Sequence, residues 1–237
     1  MKHVIFIRSY ARDLEWLKFC LRSIERFVTG CDAVVVVVPY SDVSLFNAHG
    51  IDCVGCEDMA DGYVGQQRTK HYADNYCTKS GEDCWIIYTD SDCVFTAPTT
   101  MDSLFVNGKP IHLHTPYALL PPEVPWKRIT ERALGFEVHD EFMRRHGAVY
   151  RASELRDFRR WFEQHRGTPI DLYLSSVPPR AYSEFNSLGA WLWKFRHGTR
   201  HWIRTDVDPM PPLALKQGWS WGGVTPEIRA EIERILA

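Results

Sequence analysis

The chain has 237 residues, 45% of them hydrophobic and 24% charged, and its 28 Lys+Arg against 30 Asp+Glu leave a formal net charge of −2. Those values exclude a disordered, collagen-like or coiled-coil chain. Near-neutrality excludes a globally basic nucleic-acid binder but leaves room for a local basic groove.

At about 150 residues per domain the length suits one large domain or two small ones, enough for one substantial core. No run approaches the roughly 18 apolar residues of a membrane helix. The N-terminus opens on a strand-like run, with no basic region and long apolar stretch before it. No membrane span and no signal peptide are therefore expected. Seven cysteines, an odd and scattered set, argue against a disulfide framework and for a reducing compartment. Cys53 and Cys56 form one CxxC with no second pair at zinc-ribbon spacing, so they read as small, partly buried thiols.

In chain order, residues 4–7 are a short apolar strand. Over residues 13–28, Leu14, Leu17, Leu21, Ile24 and Val28 recur at helical spacing, and Cys20 and Phe27 widen the stripe. This predicts an amphipathic helix ending near Gly30. Residues 33–38, one alanine and five valines closed by Pro39, predict a central strand of a parallel sheet covered on both faces. A short strand is expected at 51–54, a helix at 63–76, and a further apolar strand at 85–88 that runs directly into Thr89-Asp90-Ser91-Asp92. The β-α-β-α-β order implies an open doubly wound sheet.

The second half is less regular. A proline-containing loop at 119–125 precedes helices near 126–134, 153–165 and 184–195, a strand at 201–204 and a Gly- and Trp-rich loop at 217–223. Thr225-Pro226-Glu227 opens a last helix, with Thr as N-cap and Pro in the first helical position. The chain reads as one domain, 1–237, with a nucleotide-binding half at 1–115 and an acceptor-binding half at 116–237.

Asp90 and Asp92 are the sharpest chemical signal. In extended chain, positions i and i+2 point the same way, so both carboxylates face one point beyond the strand's carboxyl end, where open α/β sheets bind ligands. Like charges that close need a cation between them. Oxygen-only ligands suit Mg²⁺ or Mn²⁺, which bind through one or two carboxylates plus substrate phosphates. An Asp-rich turn is the plainer alternative. Upstream, Gly62 and Gly65 flank the start of the 63–76 helix. Glycines permit close backbone approach, and a helix N-terminus favours an anion. Gln66 and Lys70, at i and i+4, share a face and pair an amide for base or ribose with a cation for phosphate, unless that face is merely solvated. No Walker A loop or GxGxxG fingerprint occurs, so kinase and nicotinamide readings lose their main support.

The stretch Trp85-Ile86-Ile87-Tyr88-Thr89-Asp90-Ser91-Asp92 resembles the DxD strand of GT-A-fold glycosyltransferases. With the opening strand through Tyr10, the 62–74 segment, Ser183-Glu184-Phe185-Asn186 and Trp219-Ser220-Trp221-Gly222-Gly223, the chain is similar to a group of small bacterial and phage GT-A-like proteins. That resemblance implies a metal-dependent transferase, with Asp90 and Asp92 holding Mn²⁺ or Mg²⁺ against the diphosphate of a nucleotide-sugar donor, UDP-sugar by default. It further implies that Arg8 reaches phosphate, Tyr10 stacks on the base, and Glu184 acts as the base of an inverting reaction. The chemistry requires a neutralised leaving diphosphate, an acceptor hydroxyl held in line and a proton acceptor.

Other residues are candidates for the acceptor side or a lid. His146 sits in a basic helix end, and Trp219 and Trp221 flank Ser220 in the late loop, where flat aromatic faces suit sugars or bases. Core packing is the alternative for the tryptophans. His112, His114 and His201 are weak candidates outside the metal set. The acceptor is expected to be a glycan or, second, a hydroxymethylated pyrimidine in phage DNA, with Arg144, Arg145, Arg156, Arg159 and Arg160 as a local phosphate-binding surface. A non-catalytic sugar-nucleotide-binding module and a nucleotidyltransferase are the competing classes. A cytoplasmic location, bacterial or in a phage-infected host, is expected, with no obligate protein partner.

Overall fold

A computed structural model describes residues 1–79, 82–124, 126–143, 148–209 and 214–237. Strand β1 (Lys2–Arg8) leads through α1 (Leu14–Phe27) to β2 (Ala33–Pro39), through α2 (Val43–Ala48) to β3 (Val54–Cys56), and through α3 (Gly62–His71) and α4 (Asp74–Cys77) to β4 (Cys84–Tyr88). Next come β5 (Cys93–Phe95), β6 (Lys109–Pro116), α5 (Trp126–Leu134), β7 (Val149–Arg151), α6 (Ala152–Arg166) and α7 (Ile170–Ser176). The chain closes with α8 (Glu184–Phe195), β8 (His201–Arg204), β9 (Leu215–Gln217) and α9 (Pro226–Leu236).

The main sheet has five strands in the order β7-β4-β1-β2-β3. All neighbours run parallel except β7, which lies antiparallel on β4. The chain lays β1, β2 and β3 outward in one direction. It then crosses back to place β4 on the other side of β1, with Phe6 opposite Tyr88. The order of strands therefore reverses between β1 and β4, and in open α/β sheets the crevice at such a reversal is where ligands bind.

Side-chain alternation sorts the two faces. Ile5, Ile7, Val36, Val38 and Ile87 pack against Leu17, Cys20 and Ile24 of α1 and Phe46 of α2. Val4, Phe6, Val37, Ile86 and Tyr88 pack against Val64 of α3, Leu155 and Phe158 of α6, and Leu188 and Trp191 of α8. The second core thus joins both halves of the chain. A smaller sheet pairs β6 with β8 in parallel, Ile111 opposite His201. Strand β9 lies antiparallel on β5, and α9 seats Ile232 and Leu236 on Trp16 and Phe19 of α1. Thr225 caps α9 as its sequence indicates, its hydroxyl accepting from the Ile228 N–H at 3.3 Å.

The structure departs from the sequence reading at identifiable places. The third strand lies at Val54–Cys56 rather than 51–54, because Ile51 closes α2 by donating its N–H to the Phe46 carbonyl. The single helix expected over 63–76 is two, since buried Asp74 turns toward Arg159 and opens the chain after His71. Strand β2 is covered only in its second half, and Val34 is exposed. Helices α2 and α7 and the antiparallel β7 have no clear periodicity and are additions. All seven cysteines are free thiols, and among the described residues no group of three His, Cys, Asp or Glu side chains is placed to hold a metal by itself. No helix of the described residues is long and apolar enough to cross a membrane.

Phe158, fully buried, stacks on His71 at 5.3 Å and meets Trp191 edge-on at 5.6 Å. Phe158→Ala is expected to cost about 3–5 kcal/mol of stability, as large cavities in well-packed cores do. Urea denaturation reads this; a loss under about 1 kcal/mol would mean that this layer is not the core of the fold.

Candidate functional site

The carboxyl ends of β1 and β4 carry the polar residues of the reversal point. The Thr89 N–H donates to the Phe6 carbonyl, and the chain then turns tightly, the Cys93 N–H closing onto the Asp90 carbonyl at 3.0 Å. Alternation sends Asp90 to the α3 face and Ser91 to the α1 face.

On the α3 side, Lys70 is buried, and its ammonium donates to Asp90 Oδ1 at 3.0 Å and to Glu184 Oε1 at 3.1 Å. Gln67 Nε2 donates to the other Glu184 oxygen at 3.1 Å and to the Tyr182 carbonyl at 2.7 Å. Asp90 comes from the end of β4 and Glu184 from the first turn of α8, so one ammonium joins the two halves of the chain. Burial by itself lowers the Lys70 pKa, but the two carboxylates outweigh it and hold the group above its ordinary value. Tyr63, on the first turn of α3, lies in the field of Glu184; burial first and that carboxylate second raise its phenol to about 12.

On the α1 side stands a carboxylate that the sequence reading missed. Asp13, buried, accepts from the Ser91 hydroxyl at 3.0 Å. Burial is the largest influence on it, and the nearby Asp92 and Asp90 add to that, raising its pKa against the hydrogen bonds from Ser91 and Ser220. Asp13 precedes a run of helical apolar positions and looks like an ordinary first-turn acid; only its contact with Ser91 betrays it.

The late loop closes on the same cluster. Gly218 donates its N–H to the Asp92 carbonyl at 2.7 Å, and Ser220 donates its N–H to Asp92 Oδ2 at 2.9 Å. Between them Trp219 holds a left-handed φ of 56°, a costly backbone state for a bulky residue, kept by the bonds on either side. A Cβ on Gly218 would lie 2.1 Å from the Trp16 ring, so only glycine lets the loop approach this closely. Trp219 and Trp221 are 60% and 85% exposed, so neither is a core residue.

Arg8 ends β1 on the α3 face. It is 8% exposed, its Nη1 meets the Ser9 carbonyl, and its Nε has no hydrogen-bond partner. Burial lowers its pKa, with Asp42 and Asp58 among the groups opposing that. Tyr10, 41% exposed, sits beside it in sequence and hydrogen-bonds Asp13.

Of the expected site residues, Asp90, Asp92, Lys70, Glu184 and Ser220 are brought together, with Arg8, Tyr10 and Trp219 around the same sheet edge. Gln66 and Lys70, expected on one face toward a nucleotide, differ in surroundings: Lys70 is buried against Asp90 and Glu184, where Gln67 joins it, while Gln66 is half-buried. One expectation needs correction: the N-terminus of α3 is not open to an anion, because the Asp61 carboxylate caps it, accepting from Tyr63 and Val64 N–H at 2.8 and 3.0 Å. His146, with Arg144 and Arg145, lies outside the described residues. Of the remaining arginines of the expected basic surface, Arg159 forks onto Asp74 at 2.6 and 2.9 Å, Arg156 reaches the same carboxylate at 3.7 Å, and Arg160 pairs with Asp157.

No family model matches the chain, and no curated protein is significantly similar to it.

A carboxyl group whose pKa is higher folded than unfolded costs stability once it is ionised in both states, and the cost disappears as pH falls through the folded value. Asp13→Asn keeps the shape and removes the repelling charge. It is expected to raise Tm at pH 7, with the gain shrinking as pH falls toward the ordinary carboxylate range, where wild-type Asp13 is protonated. A Tm lower than wild type at pH 7 would show that the ionised Asp13 is a net stabilising partner instead.

Proposed function

We propose that the protein is a GT-A-type glycosyltransferase that moves a sugar from a nucleoside-diphosphate donor to an acceptor hydroxyl with the help of a divalent cation. The observation that carries this reading is the meeting of Asp90 and Glu184 across one ammonium at the strand-order reversal, beside Asp92. A donor-side acid and an acceptor-side carboxylate, each supplied by a different half of the chain, then meet on Lys70.

The donor set fits a hard cation. Asp90 and Asp92 offer carboxylate oxygens from the same strand end, and Mg²⁺ or Mn²⁺ bind through one or two carboxylates while keeping positions for substrate phosphates and water. When bound, such an ion offsets charge on the departing diphosphate. The chain's own residues supply the rest. Arg8, buried at the end of β1 with its Nε unpartnered, can donate hydrogen bonds to a phosphate. Tyr10 offers a half-exposed ring for a base. The ordered Trp219–Ser220 loop, hung from Asp92, screens the site from water and presents flat faces to sugar.

In the transfer, the bond from the anomeric carbon to the diphosphate oxygen breaks, its electron pair leaving with the nucleoside diphosphate. A bond forms from that carbon to the acceptor oxygen, and the acceptor proton passes to Glu184. Gln67 and Lys70 fix the Glu184 carboxyl for that task. A glycan acceptor is favoured over duplex DNA because Arg159 is drawn inward onto buried Asp74 and Arg156 leans on the same carboxylate, which weakens the surface that would meet phosphates.

The test is a thermal-shift series with UDP-sugars, with and without Mn²⁺, followed by product analysis. Selective donor binding that needs the cation should raise Tm, and donor turnover should release nucleoside diphosphate. Glu184→Gln should bind donor as wild type and lower transfer by roughly 10²–10⁴-fold. Release of pyrophosphate from a nucleoside triphosphate would place the protein among nucleotidyltransferases, and donor binding without turnover would make it a binding module.

A further inference from the structure

Lys70 is a buried cation held from every side. Its ammonium lies on Asp90 and Glu184 and 4.8 Å from the centre of the Phe185 ring. Its carbonyl accepts from the Tyr88 hydroxyl at 2.7 Å, which ties this turn of α3 to the end of β4. Half-buried Asp90 and buried Glu184 converge on this ammonium, which sets positive charge against both carboxylates. A divalent cation on Asp90 and Asp92 would add a second positive charge beside the first. Asp90 then becomes the shared ligand of two mutually repelling cations.

We infer that Lys70 is a positioning residue that serves as an internal counter-ion for Asp90, and that a divalent cation takes its place there while Lys70 keeps hold of Glu184. This rests on the metal-dependent reading of the site. Loading the cation then reassigns the ammonium from two carboxylates to one, so the donor-side ion and the acceptor-side carboxylate are coupled through a single side chain. A lysine that only supports the fold would make no such trade.

The experiment compares wild type, Lys70→Met and Lys70→Arg, without donor, by Mn²⁺ titration calorimetry and by Tm with and without Mn²⁺. Lys70→Met should be less stable than wild type without cation. It should bind Mn²⁺ at least about ten times more tightly, and Mn²⁺ should raise its Tm more than it raises that of wild type. Lys70→Arg restores the charge and should return the affinity toward the wild-type value. Lys70→Met/Glu184→Gln removes one charge of each sign, guards against a single variant that fails to fold, and should show the same tightening. Mn²⁺ bound by wild type, but equally or more weakly by these Met variants, overturns the counter-ion role while leaving the metal reading intact. No Mn²⁺ binding by any of the proteins overturns both.

Discussion

Two carboxylates, half-buried Asp90 and buried Glu184, are carried by the two halves of this chain to one point, and like charges brought that close call for a cation between them. Lys70 supplies that cation at 3.0 and 3.1 Å. Much of the surrounding structure follows from keeping that ammonium in place. Gln67 satisfies the second Glu184 oxygen, Tyr88 anchors the Lys70 turn, and Phe185 lays its ring beside the charge. Removing Lys70 would take the ammonium from the buried Glu184 carboxylate, and breaking a buried ion pair costs more than the pair contributes.

The sheet explains why this happens where it does. Strands β1 and β4 are adjacent although the four helices α1 to α4 and the two strands β2 and β3 separate them in sequence, and the strand order reverses between them, where open α/β sheets bind ligands. The two apolar faces fix the register, since a slip of one residue would exchange the α1 and α3 faces and bury the wrong side of each strand. With the register set, Asp90 must point toward α3 and Ser91 toward Asp13. The late loop then completes the edge by hanging Ser220 on Asp92.

Much of this was legible in the sequence. The unbroken apolar runs ahead of Arg8 and Thr89 mark covered parallel strands, and the helical stripe from Leu14 to Ile24 marks the layer over them. Helices α5 and α8 and strand β8 fall at the residues that periodicity indicates. The acid pair at a strand end, and a glutamate opening a late helix, announce the site. What periodicity cannot show is which side of a helix a charged residue takes. Lys70 and Gln66 share a polar stretch of α3, and only the arrival of α8 draws Lys70 inward and makes Gln67 its companion. Asp13 is hidden for the same reason, because its neighbour Ser91 is 78 residues away. The arginines of α6 look like a phosphate-binding surface until the fold delivers buried Asp74 to Arg159, an ion pair that also breaks the expected long helix in two.

A nucleoside diphosphate and its cation must share the β1–β4 edge if this chain transfers a sugar there. Anomalous diffraction from crystals grown with Mn²⁺ and UDP locates the metal independently of any assay. The expected result is one Mn²⁺ peak at coordination distance from the Asp90 and Asp92 carboxylates, with a diphosphate oxygen among its other ligands and the Lys70 ammonium withdrawn onto Glu184. A diphosphate bound away from the β1–β4 edge, or bound there with no metal at those two carboxylates, would contradict it.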